Sequence, residues 1–211
     1  KMDDSVSLEA APFYVSISNG IRWVQREAEV GVGDTVVILG PGQLGLGCVV
    51  AAKEVGAGRI IITGRAKDAR RLAVARGLGA THTVDVDAEV NVVERIAALT
   101  DGQMADAVIN VASFFPGAAQ QAIEIARVRG IVVMAGGAHE TAELFSSDLL
   151  TQKEITMKGV RGRTGRDMKK AIALLESGRH SIEKAETHRF SIQETENALL
   201  TVGGEGASDE V

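Results

Sequence analysis

Thr35-Val36-Val37-Ile38-Leu39-Gly40-Pro41-Gly42-Gln43-Leu44-Gly45 is the stretch that decides how this chain folds. The apolar run Val36 to Leu39 reads as a strand buried on both faces, as in a parallel sheet covered by helices. Burying each such side chain is worth about 1.5–3 kcal/mol, so the strand belongs at the centre of a core. Gly40, Gly42 and Gly45 then spell G-x-G-x-x-G. Leu44, Leu46, Val49, Val50, Ala51, Ala52 and Val55 cover most of the circumference of the helix that follows.

Each glycine has a physical task in that setting. Gly40 permits the tight turn out of the strand, Gly42 lets a diphosphate approach the backbone, and Gly45 lets the helix lie close to the strand. The open N–H groups of the first helical turn, near Gln43 and Leu44, face the phosphates with the positive end of the helix dipole behind them. A chain with 24 glycines yields some such spacings by chance. The strand before and the helix after turn the motif into a dinucleotide site rather than a plain strand-to-helix turn.

Outward from this unit, strand and helix alternate. Gly56-Ala57-Gly58 closes the first helix, and Arg59 to Thr63 is a second, β-branched strand. A helix from about Lys67 to Arg76 ends at Gly77-Leu78-Gly79, and Thr81 to Asp85 is a short, polar strand suited to a sheet edge. Glu89 to Leu99 has helical spacing, Ala105 to Ala112 is the fourth strand, and Ala118 to Arg127 is helical. Gly130 to Gly137 is the fifth strand with its exit, and Ile155 to Val160 the sixth. The pattern predicts an α/β fold: a doubly wound parallel six-stranded sheet in the order 3-2-1-4-5-6, helices on both faces, with ligand across the carboxyl ends of strands one and four.

The flanks are less regular. Ser7 to Ala11 reads as a short helix capped by Ser7 and stopped before Pro12. Phe13, Val15, Ile17, Ile21, Trp23 and Val24 supply apolar surface to a helix or to an extended crossing; the pattern fits both. Beyond the sheet come a helix from Arg166 to Glu176, an extended stretch from His188 to Ile192, a helix from Glu194 to Val202, and a loop from Gly203 to Glu210. The organisation expected is therefore a lead-in over residues 1–33, a dinucleotide-binding domain over 34–162, and C-terminal helices with a return segment over 163–211.

In a dinucleotide site an acid at the end of the second strand, about 20 residues past the glycine loop, takes the ribose hydroxyls of the adenosine. Here that place reads Thr63-Gly64-Arg65. With Gly64 in the acid's position, and Arg65, Lys67, Arg70 and Arg71 close by, the corner suits the 2′-phosphate of NADP better than NAD, which stays the alternative. An opposite-charge pair at about 4 Å is worth about 1 kcal/mol in water and about 4 at an intermediate dielectric, enough to decide the choice. Replacing Gly64 with Asp is expected to swing the preference toward NAD.

Composition narrows the function classes. The chain has 211 residues, 45% hydrophobic and 24% charged, the profile of a globular protein able to bury about 70% of its unfolded surface. Its 23 basic and 28 acidic residues give −5 with no block of like charge, which argues against nucleic acid or a membrane as partner. No apolar run reaches transmembrane length and no charged-then-apolar leader precedes residue 20. The start at Lys1 rather than Met suggests a piece of a longer protein. The single cysteine, Cys48, sits in an apolar helix and reads as a small buried hydrophobe, consistent with a reducing, cytoplasmic compartment. The histidines at 82, 139, 180 and 188 have no metal-ligand spacing.

Several segments, in order, resemble the nucleotide-binding domain of the medium-chain dehydrogenase/reductase family, the zinc-type alcohol, polyol and threonine dehydrogenases. They are Gly31-Val32-Gly33-Asp34-Thr35-Val36, Gly40 to Gly45, Arg71 to Ala80, Val108 to Ala112, Gly130 to Gly137, Gly159 to Gly162 and Thr187 to Ser191. The resemblance implies a Rossmann-type domain that binds a nicotinamide cofactor. It implies that Arg71 helps hold the adenosine end, and that Val111, Ala112, Ala135, Gly136, Gly137 and Arg161, at strand exits, belong to the cofactor site. In the full enzyme it implies hydride transfer between that cofactor and an alcohol or carbonyl substrate, assisted by zinc, and pairing through the outer strand, Ile155 to Val160, into a homodimer or tetramer. The zinc and the catalytic residues would lie in a catalytic domain preceding residue 1, so this chain carries no catalytic or metal residue and is expected to be inactive alone. The sequence departs from the resemblance at Gly64, where NAD-specific members commonly have an acid.

Three competing readings bear weighing. A short-chain dehydrogenase needs Tyr-x-x-x-Lys, but the one tyrosine, Tyr14, has Ser18 at that spacing. An adenosylmethionine-dependent methyltransferase shares the fold class but wants the acid that Gly64 replaces. A stand-alone nucleotide-binding or sensor module shares the fold, and fold alone does not separate it from an enzyme.

Overall fold

The computed structural model describes residues 2–112, 116–136 and 145–203. Its strands are β1 (Thr35–Leu39), β2 (Arg59–Gly64), β3 (His82–Asp85), β4 (Ala105–Asn110), β5 (Ala126–Met134) and β6 (Thr156–Gly159). They form one parallel sheet in the order β3-β2-β1-β4-β5-β6, the order the sequence predicts. The helices are α1 (Tyr14–Gly20), α2 (Gln43–Glu54), α3 (Ala69–Leu78), α4 (Val92–Leu99), α5 (Ala118–Ile125), α6 (Ser147–Gln152), α7 (Gly165–Glu176) and α8 (Thr195–Gly203).

Side-chain alternation divides the central strands between two cores. Val36, Ile38, Ile60 and Ile62 point to one face and pack with Ile17 of α1, Val49 of α2, Leu72 of α3 and Leu174 of α7. Val37, Leu39, Ile61 and Val108 point to the other, against Ile96 of α4 and Ile123 of α5. All residues of β1 are buried, as its apolar run requires. On the first face α1 crosses α2 backbone to backbone: a Cβ added at Gly20 would run into the Gly47 carbonyl. Arg26 then ties the lead-in to α7, donating to the fully buried Asp167 at 3.0 Å.

Local chemistry moves several boundaries from their expected places. The stretch Phe13 to Val24, open between helix and extended chain, is helical, α1 running on into wider π turns over Ile21–Glu27. No helix forms over Ser7 to Ala11. The Ser7 hydroxyl accepts from the Ala10 N–H at 3.1 Å in a turn, and Pro12 opens a 3₁₀ turn (Ala11–Phe13) instead of ending a helix. α4 starts at Val92 rather than Glu89 because Asn91 caps it, its Oδ1 accepting from the N–H groups of Val93 and Glu94. α5 stops at Ile125: Ala126, expected on that helix, pairs instead with Ala105 at the start of β5. The Lys153 ammonium donates to the carbonyls of Ile123, Glu124 and Ala126 and takes over the end of α5. His188 to Ile192 joins no strand of the sheet and leads into a 3₁₀ turn at Ile192–Glu194. Gly204 to Glu210, within the expected final loop, lie outside the described residues.

Candidate functional site

The strand exits are stitched along one edge of the sheet. Each amide just past a strand donates to a terminal carbonyl of its neighbour: Val86 to Gly64, Gly40 to Thr63 (3.2 Å), Val111 to Leu39 (3.0 Å), Ala135 to Asn110 (2.9 Å) and Val160 to Met134 (3.0 Å). This edge carries the carboxyl ends of β1 and β4, where the order of strands reverses and where open α/β sheets bind ligands.

In the loop between β1 and α2, Gly40 has φ +102°, and a Cβ there would stand 3.1 Å from the Ala112 backbone. A Cβ at Gly45 would land on the Gly40 carbonyl, so α2 starts hard against the strand exit. Gly42 differs: its φ is −66°, and a Cβ there would meet nothing within 4 Å. The loop is therefore closed beneath Gly40 and Gly45 and open above Gly42. No side chain caps α2, so the amides of its first turn, at Gln43 and Leu44, face that opening without a capping acceptor. This opening above Gly42, floored by the Gly40–Ala112 and Gly45–Gly40 backbone contacts and backed by a helix N-terminus, fits a diphosphate.

Across the crevice, Val111, Ala112, Ala135 and Gly136 stand together. A Cβ at Gly136 would strike the Ala112 carbonyl, and Gly136 N–H joins that of Ala135 on the Asn110 carbonyl. Gly137 and His139 lie outside the described residues. Arg161 follows β6, exposed, its carbonyl accepting from Arg22 Nη1 at 2.9 Å; the structure gives it no contact with the glycine loop.

Gly64 ends β2 beneath Pro41. A Cβ there would approach Pro41 Cγ to 2.7 Å and Leu72 Cδ2 to 3.2 Å, so an Asp at this position displaces the loop as well as adding charge. The substitution that the sequence suggests as a cofactor switch is thus a test of loop integrity first.

Two of the cations beside Gly64, Arg65 and Arg71, are paired with acids. Arg65 Nε reaches Asp87 Oδ1 at 3.3 Å, and Arg71 Nη1 reaches Asp68 Oδ1 at 3.1 Å. Asp68, buried, also accepts from the Arg65 N–H at 2.9 Å, while Arg70 turns away to the Glu186 carbonyl. The Ala66 amide on Asp87 holds that carboxyl below the usual carboxylate range; partial burial opposes this, and Arg65 and Lys67 add to it. Arg71, Pro41 and Gln43 share a groove of about 480 Å³ with Phe13, Thr187 and His188, whereas Arg65 does not line it.

Three residues here escaped the sequence reading. Asn110, fully buried at the end of β4, accepts from the Ala112 N–H through Oδ1 at 3.0 Å, and its carbonyl holds the β5 exit. Its signal was visible: one amide within the apolar run Val108-Ile109-Asn110-Val111. Asp68 and Asp87 carry no such mark, since both are ordinary charged residues in polar stretches. Among the described residues no three His, Cys, Asp or Glu side chains converge as metal ligands would, so a zinc ion finds no fit here. The Cys48 thiol is fully buried and pushed up to about 12 by that burial, which leaves it inert. No helix among the described residues is long and apolar enough to cross a membrane.

Known proteins resemble this chain in sequence and in fold. Residues 44–177 match the sequence profile described as zinc-binding dehydrogenase. The chain is 38% identical over 205 residues to the probable alcohol dehydrogenase adh of Mycobacterium tuberculosis (strain ATCC 25618 / H37Rv), a match covering 95% of this chain and 55% of that protein. It is 33% identical over 176 residues to the sorbitol dehydrogenase of Halalkalibacterium halodurans, covering 83% and 50%. Among solved structures, the alcohol dehydrogenase TADH from Thermus sp. ATN1 superposes with a TM-score of 0.85 at 25% identity, covering 98% of this chain and 59% of that one. The chain spans about half the length of the curated relatives it matches.

Proposed function

Since the chain belongs to the zinc-binding dehydrogenase family, we propose that it is the cofactor-binding part of an oxidoreductase moving a hydride between a nicotinamide dinucleotide and a small alcohol or carbonyl compound. The observation that carries this reading is the loop at Gly40, Gly42 and Gly45, closed by backbone on one side and open above Gly42. There the Gln43 and Leu44 amides would hold the diphosphate. Arg71, with Gly64 and Arg65, would meet the adenosine end; Val111, Ala112, Ala135 and Gly136 would wall the nicotinamide, and the family resemblance would add Arg161 after β6. When bound, the nicotinamide supplies the hydride chemistry, and this chain's residues bind and orient it.

Of the two dinucleotides, NADP is the proposed cofactor and NAD the alternative, because no acid stands at Gly64 and two arginines flank the corner. Polarisation of the substrate oxygen by zinc would fall to the part of a longer protein that resembles the remaining half of the relatives. The division into residues 1–33, 34–162 and 163–211 follows from the same reading. β6, at one edge of the sheet, would pair two copies into a homodimer or tetramer, a state that light scattering reads directly. The cytoplasm is the proposed compartment.

Titration of the purified chain with NADPH, NADH and adenosylmethionine tests the proposal. Binding of a nicotinamide supports it, and binding of adenosylmethionine alone overturns it. Turnover of alcohols by this chain unaided would contradict the assignment of the chemistry to another part.

A further inference from the structure

We propose that Asp87 sets how strongly the protein distinguishes dinucleotides with and without a phosphate on the adenosine ribose, by holding Arg65 and by carrying its own charge into that corner. The inference rests on the dinucleotide reading above.

Topology brings Asp87 there. β3 lies parallel beside β2 with Asp85 opposite Gly64, so the loop leaving β3 emerges at the same edge as Gly64 and Arg65. Asp85 Oδ1 accepts from the Asp87 N–H at 3.0 Å and fixes the turn. Asp87 is then gripped twice, by Arg65 Nε and by the Ala66 N–H at 3.0 Å, on the residues where the β2 exit would meet a ribose phosphate. The backbone contact means that Asp87 stays in place when Arg65 moves.

That arrangement has an electrostatic consequence. A sugar phosphate with close to two negative charges would recruit Arg65, whose side chain is 64% exposed and free to exchange partners. Doing so would leave the Asp87 carboxylate near the phosphate with its cation withdrawn. Asp68 meanwhile keeps Arg71 fixed toward the groove. A dinucleotide without the extra phosphate leaves the Arg65–Asp87 pair intact. Asp87 therefore weakens the response to a 2′-phosphate that the sequence at Gly64-Arg65 alone implies.

The test is equilibrium binding of NADPH and NADH to the purified chain, wild type against Asp87→Asn and Arg65→Ala. Asp87→Asn is expected to tighten NADPH by about fivefold, the order of one screened surface charge, with NADH changed by less than about twofold. Arg65→Ala is expected to weaken NADPH by about the same factor and to spare NADH. An NADPH-to-NADH affinity ratio unchanged in Asp87→Asn overturns the inference, whatever Arg65→Ala does, while leaving the dinucleotide reading intact. Failure of the wild type to bind either nucleotide overturns both. Should Asp87→Asn prove unstable, Asp87→Ser removes the same charge while its hydroxyl can still accept from the Ala66 N–H, and the same ratio decides.

Discussion

The crevice at Gly40, Ala112 and Gly136 and the corner at Arg65, Asp68, Arg71 and Asp87 lie at the same edge of one sheet, yet they are built from different materials. The crevice is backbone against backbone: absent Cβ atoms and amides shared between strand exits define it. Such geometry does not yield, because displacing it means displacing the central strands. The corner is made of charged side chains, and its outer pair, Arg65 and Asp87, 64% and 40% exposed, can exchange partners in water. On the proposed function the crevice would decide that a dinucleotide fits, and the corner would adjust which one. Substitutions in the first are expected to cost stability and binding together, and substitutions at the exposed Arg65–Asp87 pair to shift preference with little else.

The sharpest break would come at Gly45. Gly45→Val places a side chain on the Gly40 carbonyl and is expected to destabilise by about 3 kcal/mol or more, with loss of nucleotide binding, read as a fall in Tm and a flat titration. Gly42→Ala is its control inside the same loop. Its Cβ meets nothing, so Tm is expected to hold within about 2 °C while affinity falls at least about tenfold, because the methyl occupies the phosphate's path. If both variants behave alike, the closed and open sides of the loop are not distinct. Gly64→Asp belongs with Gly45 despite its place beside the corner: it is expected to weaken NADH and NADPH together, since Pro41 must move first.

Asn110 is next in size. Asn110→Ala removes the acceptor of the Ala112 N–H inside a fully buried site, and about 1–3 kcal/mol of stability with it. Thermal melting with and without NADPH checks this. A melting curve like that of the wild type would mean that the β4 and β5 exits hold without the side chain, and the crevice would be less rigid than its backbone suggests.

This division also accounts for what the amino-acid order disclosed. Strand runs such as Val36 to Leu39 and glycines such as Gly40 and Gly45 act through local sterics, so the topology and the loop were readable in advance. Asp87 meets Arg65 across 22 positions, by way of the β2–β3 pairing, and nothing local to either residue announces it. The Arg71–Asp68 pair, three residues apart, is local by contrast. The end of α5 escaped for the same reason as Asp87: Lys153, donating from the turn after α6, takes the helix's last carbonyls, a long-range cap that periodicity does not carry. Asn110 was legible in principle, since a polar residue inside an apolar strand needs a purpose.

A buried carboxylate, Asp167, sharpens the contrast with the exposed corner. Burial alone would push the Asp167 carboxyl up, but the Thr164 hydroxyl and amide, together with Arg26, outweigh it and leave it below its ordinary value. A carboxyl lowered in the folded state stabilises above its unfolded pKa, about 3.9, and that contribution fades as pH falls through the lower folded value. Asp167→Asn is therefore expected to lower Tm at pH 7, with the gap to wild type narrowing below about pH 4. A gap independent of pH would assign the effect to packing rather than to charge.

The smallest expected effect is the one on which the comparison most depends. Arg65→Ala removes an exposed ion pair, and such pairs contribute about 0–1 kcal/mol, so Tm is expected to move by no more than about 4 °C. The same substitution is expected to change NADPH affinity measurably, which separates recognition from folding at a single residue. Scanning calorimetry of the free chain reads the first quantity, and repeating it in 0.5 M salt sets the screened baseline. Should Arg65→Ala lower Tm by as much as Asn110→Ala, the corner would be structural. Arg65 would then be holding the β2 and β3 exits together, and the difference between a rigid crevice and an adjustable corner would disappear.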